Sequence, residues 1–413
     1  MFKSVLEGRL AYAPPWDIPF SQRYDALMKR GKRVAYFYEK PDSTSFRYRV
    51  FNMTEALGAD STAEISASWF YREDLADMPR VVDRVDAIVF CRTHFSPTIG
   101  ELVNRARRRG VRVLFDVDDL VFDTDYVQLL LNSLDQDSNN ELSLNRWFAS
   151  IARQGALLKM CDRALVTNAF LGERIQAFAP SVSTRVIPNF LNREQQAASE
   201  RMYEQKRERT FESSQPFHIG YFSGTPTHRR DFEIVAPALA NLLRADSRLR
   251  LLIVGALEPS DALKAYRHRI DRFPLQDYMN LQRLIARAEI NISPLLDNLF
   301  TNCKSELKFF EAAIAGTVTL ATPTYTFRQA IKDGETGFLA SAHEWQAQLE
   351  RAVALLDERD RYTQMAVAGF QVAQSVFGWD RQAETIKRAI FGNAESDASS
   401  GTNSEAAADI RLR

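Results

Sequence analysis

The run Asn302-Cys303-Lys304-Ser305-Glu306-Leu307-Lys308-Phe309-Phe310-Glu311-Ala312-Ala313-Ile314-Ala315-Gly316, continued by Thr317-Val318-Thr319-Leu320-Ala321-Thr322, decides the architecture. It reads as a helix closed by a glycine C-cap and followed at once by a β-branched strand. That is one helix-to-strand step of a doubly wound α/β sheet. Leu307, Phe310 and Ile314 recur at three and four residues and mark a buried face. Lys304, Lys308, Glu311 and Ala315 recur at the same spacing on another face, setting two cations and a carboxylate in a row. Charges at helical spacing ordinarily form a solvated face. Here they begin at a helix N-terminus, where backbone amides already favour a phosphate. Lysines there neutralise a diphosphate, and a carboxylate one turn further accepts two ribose hydroxyls. The combination suits a nucleotide-sugar.

The pattern Lys-Ser-x-x-Lys-Phe-Phe-Glu-x-x-x-x-Gly from Lys304 to Gly316 resembles the donor-site helix of the large retaining family of GT-B glycosyltransferases, the glycosyl transferases group 1 type. The resemblance implies that Glu311 binds the donor ribose. That family often carries a second glutamate, seven residues removed from the first, that touches the donor sugar. The matching position here is Cys303, and Lys304, Ser305 or Asp297 would have to supply the contact. The segment Gly220-Tyr221-Phe222-Ser223-Gly224-Thr225-Pro226-Thr227-His228-Arg229-Arg230-Asp231 resembles the family's glycine-rich donor loop. Gly224, Thr225, His228, Arg229 and Arg230 are therefore expected around the donor diphosphate, with Lys304, Ser305, Lys308 and Glu311. Arg230 falls on a position where the family has a lysine. Val186-Ile187-Pro188-Asn189 resembles the signature that ends the first domain of these proteins. Asp333-Gly334-Glu335-Thr336-Gly337-Phe338-Leu339 resembles their "DGxTGFL" hairpin.

Composition bounds the answer without naming it. At 413 residues the chain is long enough for two domains. Lys plus Arg equals Asp plus Glu at 53 each, so global charge offers nothing to a nucleic acid. Three cysteines without paired spacing, Cys91, Cys161 and Cys303, argue against a disulfide framework or a zinc site. No run approaches the roughly 20 apolar residues that span a bilayer, and Met1 to Arg9 lacks a signal-peptide core. The expectation is a cytoplasmic protein able to touch a membrane peripherally, which would suit a lipid-linked acceptor.

Strand-like and helical patterns alternate along the chain in two series, so a parallel sheet covered on both faces is expected twice. The expected division is an extended lead-in over 1–30, a first Rossmann-like unit on the acceptor side over 31–190, and a charged linker, read as a solvated helix and linker, over 191–215. A second Rossmann-like unit for the donor follows over 216–378, then a helix crossing back to the first unit over 379–392 and a disordered tail over 393–413. The fold class is α/β, two doubly wound units facing a cleft: the GT-B architecture.

Phe115-Asp116-Val117-Asp118-Asp119 follows a strand, and an Asp-x-Asp there could grip a diphosphate through a divalent metal. Because the donor pattern lies in the other half, these carboxylates are expected to line the acceptor side of the cleft, with no metal. Asp118 and His94 are candidate catalytic residues beside Arg230, Lys304 and Lys308. Arg47 and Arg49, where relatives have a glycine pair, are on offer to an anionic acceptor. The implied activity is transfer of a sugar from a nucleotide diphosphate-sugar to a glycan or lipid-linked acceptor, with retention, in polysaccharide or lipopolysaccharide synthesis. No cofactor is called for. The alternatives are a metal-dependent transferase using Asp116 and Asp118, a GT-B sugar epimerase, or an inactive donor-binding protein.

Overall fold

The structure, a computed structural model, describes residues 1–5, 7–59, 64–223, 229–258 and 260–392. Strands β1 (Lys32–Tyr38), β2 (Ile65–Tyr71), β3 (Ala87–Cys91), β4 (Arg112–Val117), β5 (Arg163–Val166) and β6 (Ser183–Val186) form one parallel sheet in the order β2-β1-β3-β4-β5-β6. Strands β7 (Phe217–Phe222), β8 (Leu249–Val254), β9 (Ile270–Phe273), β10 (Ile290–Ser293), β11 (Val318–Ala321) and β12 (Phe338–Leu339) form a second, in the order β12-β11-β10-β7-β8-β9. Strands such as Ala87-Ile88-Val89-Phe90-Cys91 are apolar throughout because helices cover both faces. In each sheet the winding reverses beside the first strand of the unit, between β1 and β3 and between β7 and β10. Doubly wound folds bind ligands outside the carboxyl ends of strands at such switch points.

The charged stretch after residue 191, expected as a solvated helix and linker, is helical but not solvated throughout. It forms the helix Arg193–Arg207, and Gln195, Ser199, Met202, Tyr203 and Lys206 are buried. Tyr203 stacks on Phe370 at 3.7 Å, and the Lys206 ammonium donates to the Gly316 carbonyl at 3.1 Å and to the Thr317 hydroxyl oxygen at 3.0 Å. Polar residues fill the interior here because each finds a partner. The lead-in also differs: it contains the helix Phe20–Leu27, and its first residues lie on the second unit. There the Leu10 amide donates to Asn280 at 2.8 Å and Arg283 donates to the Glu7 carbonyl at 2.7 Å. The closing helix Ala383–Phe391 does cross back. Its end carbonyls, Ala389 and Ile390, accept from Arg163 at 2.6 Å and Arg112 at 3.1 Å. The tail from 393 lies outside the described residues.

The segment 302–316 is not one helix. A turn ends at Asn302, Cys303 to Glu306 form a connection, and the helix proper runs Leu307–Ala313. Tertiary hydrogen bonds hold the break: Asn302 accepts from the Tyr325 amide at 2.7 Å, and Thr326 donates to the Lys304 carbonyl at 2.9 Å. Lys304 therefore sits before the helix. The buried set is Phe309 to Ala313, with Leu307 only half-buried, because the helix lies between the sheet and the long helix Arg359–Phe377. Gly316 ends it at φ +66°, where a Cβ would meet the rings of Phe211 and Tyr203 at 2.8 and 2.9 Å.

Candidate active site

The two switch points face each other across a cavity of about 310 Å³. The second unit contributes Phe222 and Ser223 at the end of β7, Ser293 at the end of β10, and Lys304, Ser305, Lys308 and Glu311. The first contributes Ser43 to Ser45, Arg47, Tyr48, Asp118, Asp119 and Asn189. Phe222, Leu281, Ile285 and Leu295 form an apolar wall that carried no motif in the sequence. Ser293 Oγ and Asp119 Oδ1 are buried there without a hydrogen-bond partner among the described residues.

Lys308 is the cavity's prominent cation. Among the described residues its ammonium has no ion-pair partner, and it lies 4.9 Å from the centre of the Tyr221 ring. Burial pushes its pKa down to about 8, with Asp231 pulling the other way and Lys304 adding to the fall. Lys304 spans the cleft to Asp119 at 3.3 Å. Ser305 accepts from Asn189 at 2.9 Å, tying the donor segment to the end of the first unit.

Glu311 is buried, and its Oε1 accepts from Tyr48, from Gln195 at 3.0 Å and from Arg47 at 3.2 Å. None of the hydrogen bonds among the described residues uses its Oε2. Cys303 lies buried in the core of the first unit, so it cannot replace a sugar-binding glutamate. Glu306, three residues on, carries a buried carboxyl whose Oε2 has no hydrogen-bond partner among the described residues. Burial raises its pKa to about 7. It lines a separate cavity on the other side of the segment, with Pro188 and Tyr325.

On the acceptor side, Asp118 accepts from Ser45 at 2.7 Å and pairs with Arg92 at 3.1 Å. Burial works against its ionisation, but Arg92 and the Ser45 hydroxyl prevail and hold its pKa below the usual range. Asp116 is placed otherwise. It is fully buried and forked by Arg49 at 2.8 and 2.9 Å. With one carboxylate enclosed by a guanidinium and the other paired to Arg92, the Asp-x-Asp does not fit a divalent metal. The expectation that Arg47 and Arg49 serve an anionic acceptor is also corrected. Arg49 is consumed by Asp116 and the Ile187 carbonyl at 2.7 Å, and Arg47 by Glu311 and Gln195.

His94 does not line the cavity. Its ring bridges Glu39 at 3.2 Å and Ser150 at 2.8 Å, and that contact keeps the Glu39 carboxyl below its usual pKa. Arg229 and Arg230 likewise stay outside, both on Asp135 of the first unit at 3.1 and 2.9 Å. Gly224, Thr225 and His228 lie outside the described residues. Sequence reasoning missed the roles of Tyr48 and Gln195. The aromatic-basic alternation Phe46-Arg47-Tyr48-Arg49 was the available signal for the first, and nothing local marked the second.

Residues 216–358 match the family model Glycosyl transferases group 1. Over 167 residues, 37% of this chain, the sequence is 30% identical to the D-inositol 3-phosphate glycosyltransferase of Nocardia farcinica. The match spans 36% of that relative's length. Solved structures share the whole architecture. Sucrose-phosphate synthase from Thermosynechococcus elongatus has a TM-score of 0.55 at 15% identity, over 86% of this chain and 97% of its own. Anabaena HepE in complex with UDP and glucose has a TM-score of 0.57 at 13% identity, over 89% and 100%. WaaG, a glycosyltransferase involved in lipopolysaccharide biosynthesis, has a TM-score of 0.52 at 14% identity, over 87% and 100%. The chain is a two-unit protein of the GT-B fold. Its second unit carries a glycosyl transferases group 1 domain.

Proposed function

We propose that this chain transfers a sugar from a nucleoside diphosphate donor to a glycan or lipid-linked acceptor. The observation that carries the reading is the wall made by Lys308 and Glu311 at the switch point of the second sheet. Lys308, whose ammonium has no ion-pair partner among the described residues, and Glu311, whose Oε2 takes part in no hydrogen bond among them, line one cavity there. The ammonium suits the diphosphate, and the carboxylate oxygen suits the ribose hydroxyls. The apolar side chains of Phe222, Leu281 and Ile285 suit the base and the flat faces of the sugars. HepE, a structural neighbour, is solved with UDP and glucose, which supports a uridine donor among the candidates.

In this reading the bond between the anomeric carbon and the β-phosphate oxygen breaks, and an acceptor hydroxyl attacks from the same face. Its proton passes to the departing phosphate, so configuration is retained and no protein nucleophile is used. Lys308 and Lys304 stabilise the charge that develops on the diphosphate, an electrostatic task. Asp118 and Ser45 line the acceptor side. Arg230 joins the diphosphate only by leaving Asp135. Because the lysines meet this charge, no metal is required and activity survives EDTA. No described helix is long and apolar enough to cross a membrane. In this reading a lipid-linked acceptor of a polysaccharide or lipopolysaccharide is met peripherally, at the membrane's cytoplasmic surface.

The test is incubation with UDP-, GDP- and dTDP-sugars, scoring nucleotide release with and without acceptor glycans, and with EDTA. Acceptor-dependent release from one donor, unchanged by EDTA, is the expected result. Sugar interconversion without release would mean an epimerase, and binding without turnover an inactive relative. Loss in EDTA with rescue by manganese would mean metal-dependent transfer.

A further inference from the structure

The carboxylate assigned to the donor ribose does not stand alone, and what holds it comes from outside its own unit. Arg47 and Tyr48 belong to the first unit, on a short π-helical turn (Arg47–Phe51) in which the Asn52 amide reaches back five residues to the Arg47 carbonyl. Such turns are rare and concentrate at functional sites. Gln195 belongs to the helix that joins the units. The three converge on Glu311 Oε1 and also bond one another, Arg47 to Gln195 at 2.9 Å and to the Tyr48 hydroxyl at 2.7 Å. The Arg47 guanidinium is sandwiched further, 4.1 Å from the centre of the Tyr48 ring and 4.8 Å from that of Tyr278. All four polar residues are buried, with Gln195 fully so. A buried network whose members bond one another fixes geometry, because any other arrangement leaves more polar groups unpaired.

We infer that Arg47, Tyr48 and Gln195 are positioning residues for donor recognition. They saturate Glu311 Oε1 so that Oε2 faces the cavity to receive the donor's ribose hydroxyls. The inference rests on the donor-site reading above and deepens it. It makes the affinity for the sugar of the nucleotide a property of both units, although the carboxylate lies on one. Tyr48 and Gln195 do not touch the nucleotide; they act through Glu311.

The test uses the full chain and four probes, UDP, GDP, ADP and dTDP, each beside its analogue lacking ribose hydroxyls (2′,3′-dideoxy, or 3′-deoxy for dTDP). The wild-type protein should favour the hydroxyl-bearing form of its best probe by about tenfold or more, the scale of a hydrogen bond to a charged group. In Tyr48→Phe and Gln195→Met that ratio should fall below about threefold, through weaker binding of the hydroxyl-bearing form alone. Binding of the deoxy analogue should stay within about twofold of wild type. Tyr48→Phe removes one oxygen from a packed site, and thermal melting verifies that each variant is folded. If the wild type discriminates and both folded variants discriminate equally well, the positioning role is wrong. An equal loss for both forms of the nucleotide would reveal a merely structural role and overturn the inference too. If the wild type itself binds no probe or does not distinguish the two forms, the donor-site reading of Glu311 fails and this inference falls with it.

Discussion

Lys308→Ala should lower sugar transfer by about 10²- to 10³-fold, the scale of removing one preorganised group from developing negative charge. Lys308 enters the cavity wall already desolvated and forms no ion pair with a described carboxylate. A diphosphate beside it would meet an ammonium that has lost much of its hydration, where Coulomb attraction is strongest. The same burial gives a pH signature. With a pKa of about 8 in the empty protein, Lys308 is charged below that pH and loses its proton above it. A bound diphosphate favours the charged form, so binding takes up a proton once the pH exceeds 8 and affinity falls as pH rises from about 8. Titration of the wild type with a nucleoside diphosphate between pH 6.5 and 9.5 should show that decline, and Lys308→Ala should be flat. A wild-type affinity independent of pH across this range would remove Lys308 from the diphosphate.

Asp116→Ala should cost about 3–5 kcal/mol of stability, because it leaves the Arg49 guanidinium buried without its counter-ion. Burial, with the Asp118 charge adding to it, pushes the Asp116 carboxyl up to about 6 against the pull of Arg49, and the pair is ionised at neutral pH. Denaturant unfolding measures the loss. The double variant Asp116→Ala with Arg49→Met should recover much of it, since removing both charges leaves nothing uncompensated. A fully stable Asp116→Ala that instead loses a manganese-dependent activity shown by the wild type would restore the metal-binding alternative.

The two sheets were legible because their central strands are unbroken apolar runs and their helices end at residues such as Gly110 and Gly316, at φ +69° and +66°. The edges were not. Strand β9 reads Ile-Asp-Arg-Phe, and its polar residues make sense only once Asp271 is seen to pair with His218 at 2.9 Å and Arg250 at 2.7 Å. The last edge strand, Phe338-Leu339, was read as part of a hairpin; it lies parallel to β11 instead. In the site, Lys304, Ser305, Lys308 and Glu311 could be found together because one short segment carries them. The partners of Glu311 could not, since Arg47 and Gln195 lie 264 and 116 residues away in the chain. Composition misjudged the solvation of Arg193–Arg207: a charged stretch signals solvent only when no partner awaits the polar groups. Arg230 illustrates the converse. Its place after a glycine-containing turn suggested phosphate, but Asp135 of the other unit satisfies it in this structure.

The central claim is that the donor nucleotide lies in the cleft with its ribose on Glu311. Isothermal titration of wild type and a folded Glu311→Ala variant, with the nucleoside diphosphate of whichever donor is turned over, tests it most directly. The account predicts at least about a tenfold loss of affinity in the variant, the scale of losing hydrogen bonds to a charged group. Unchanged affinity in the folded variant would contradict it.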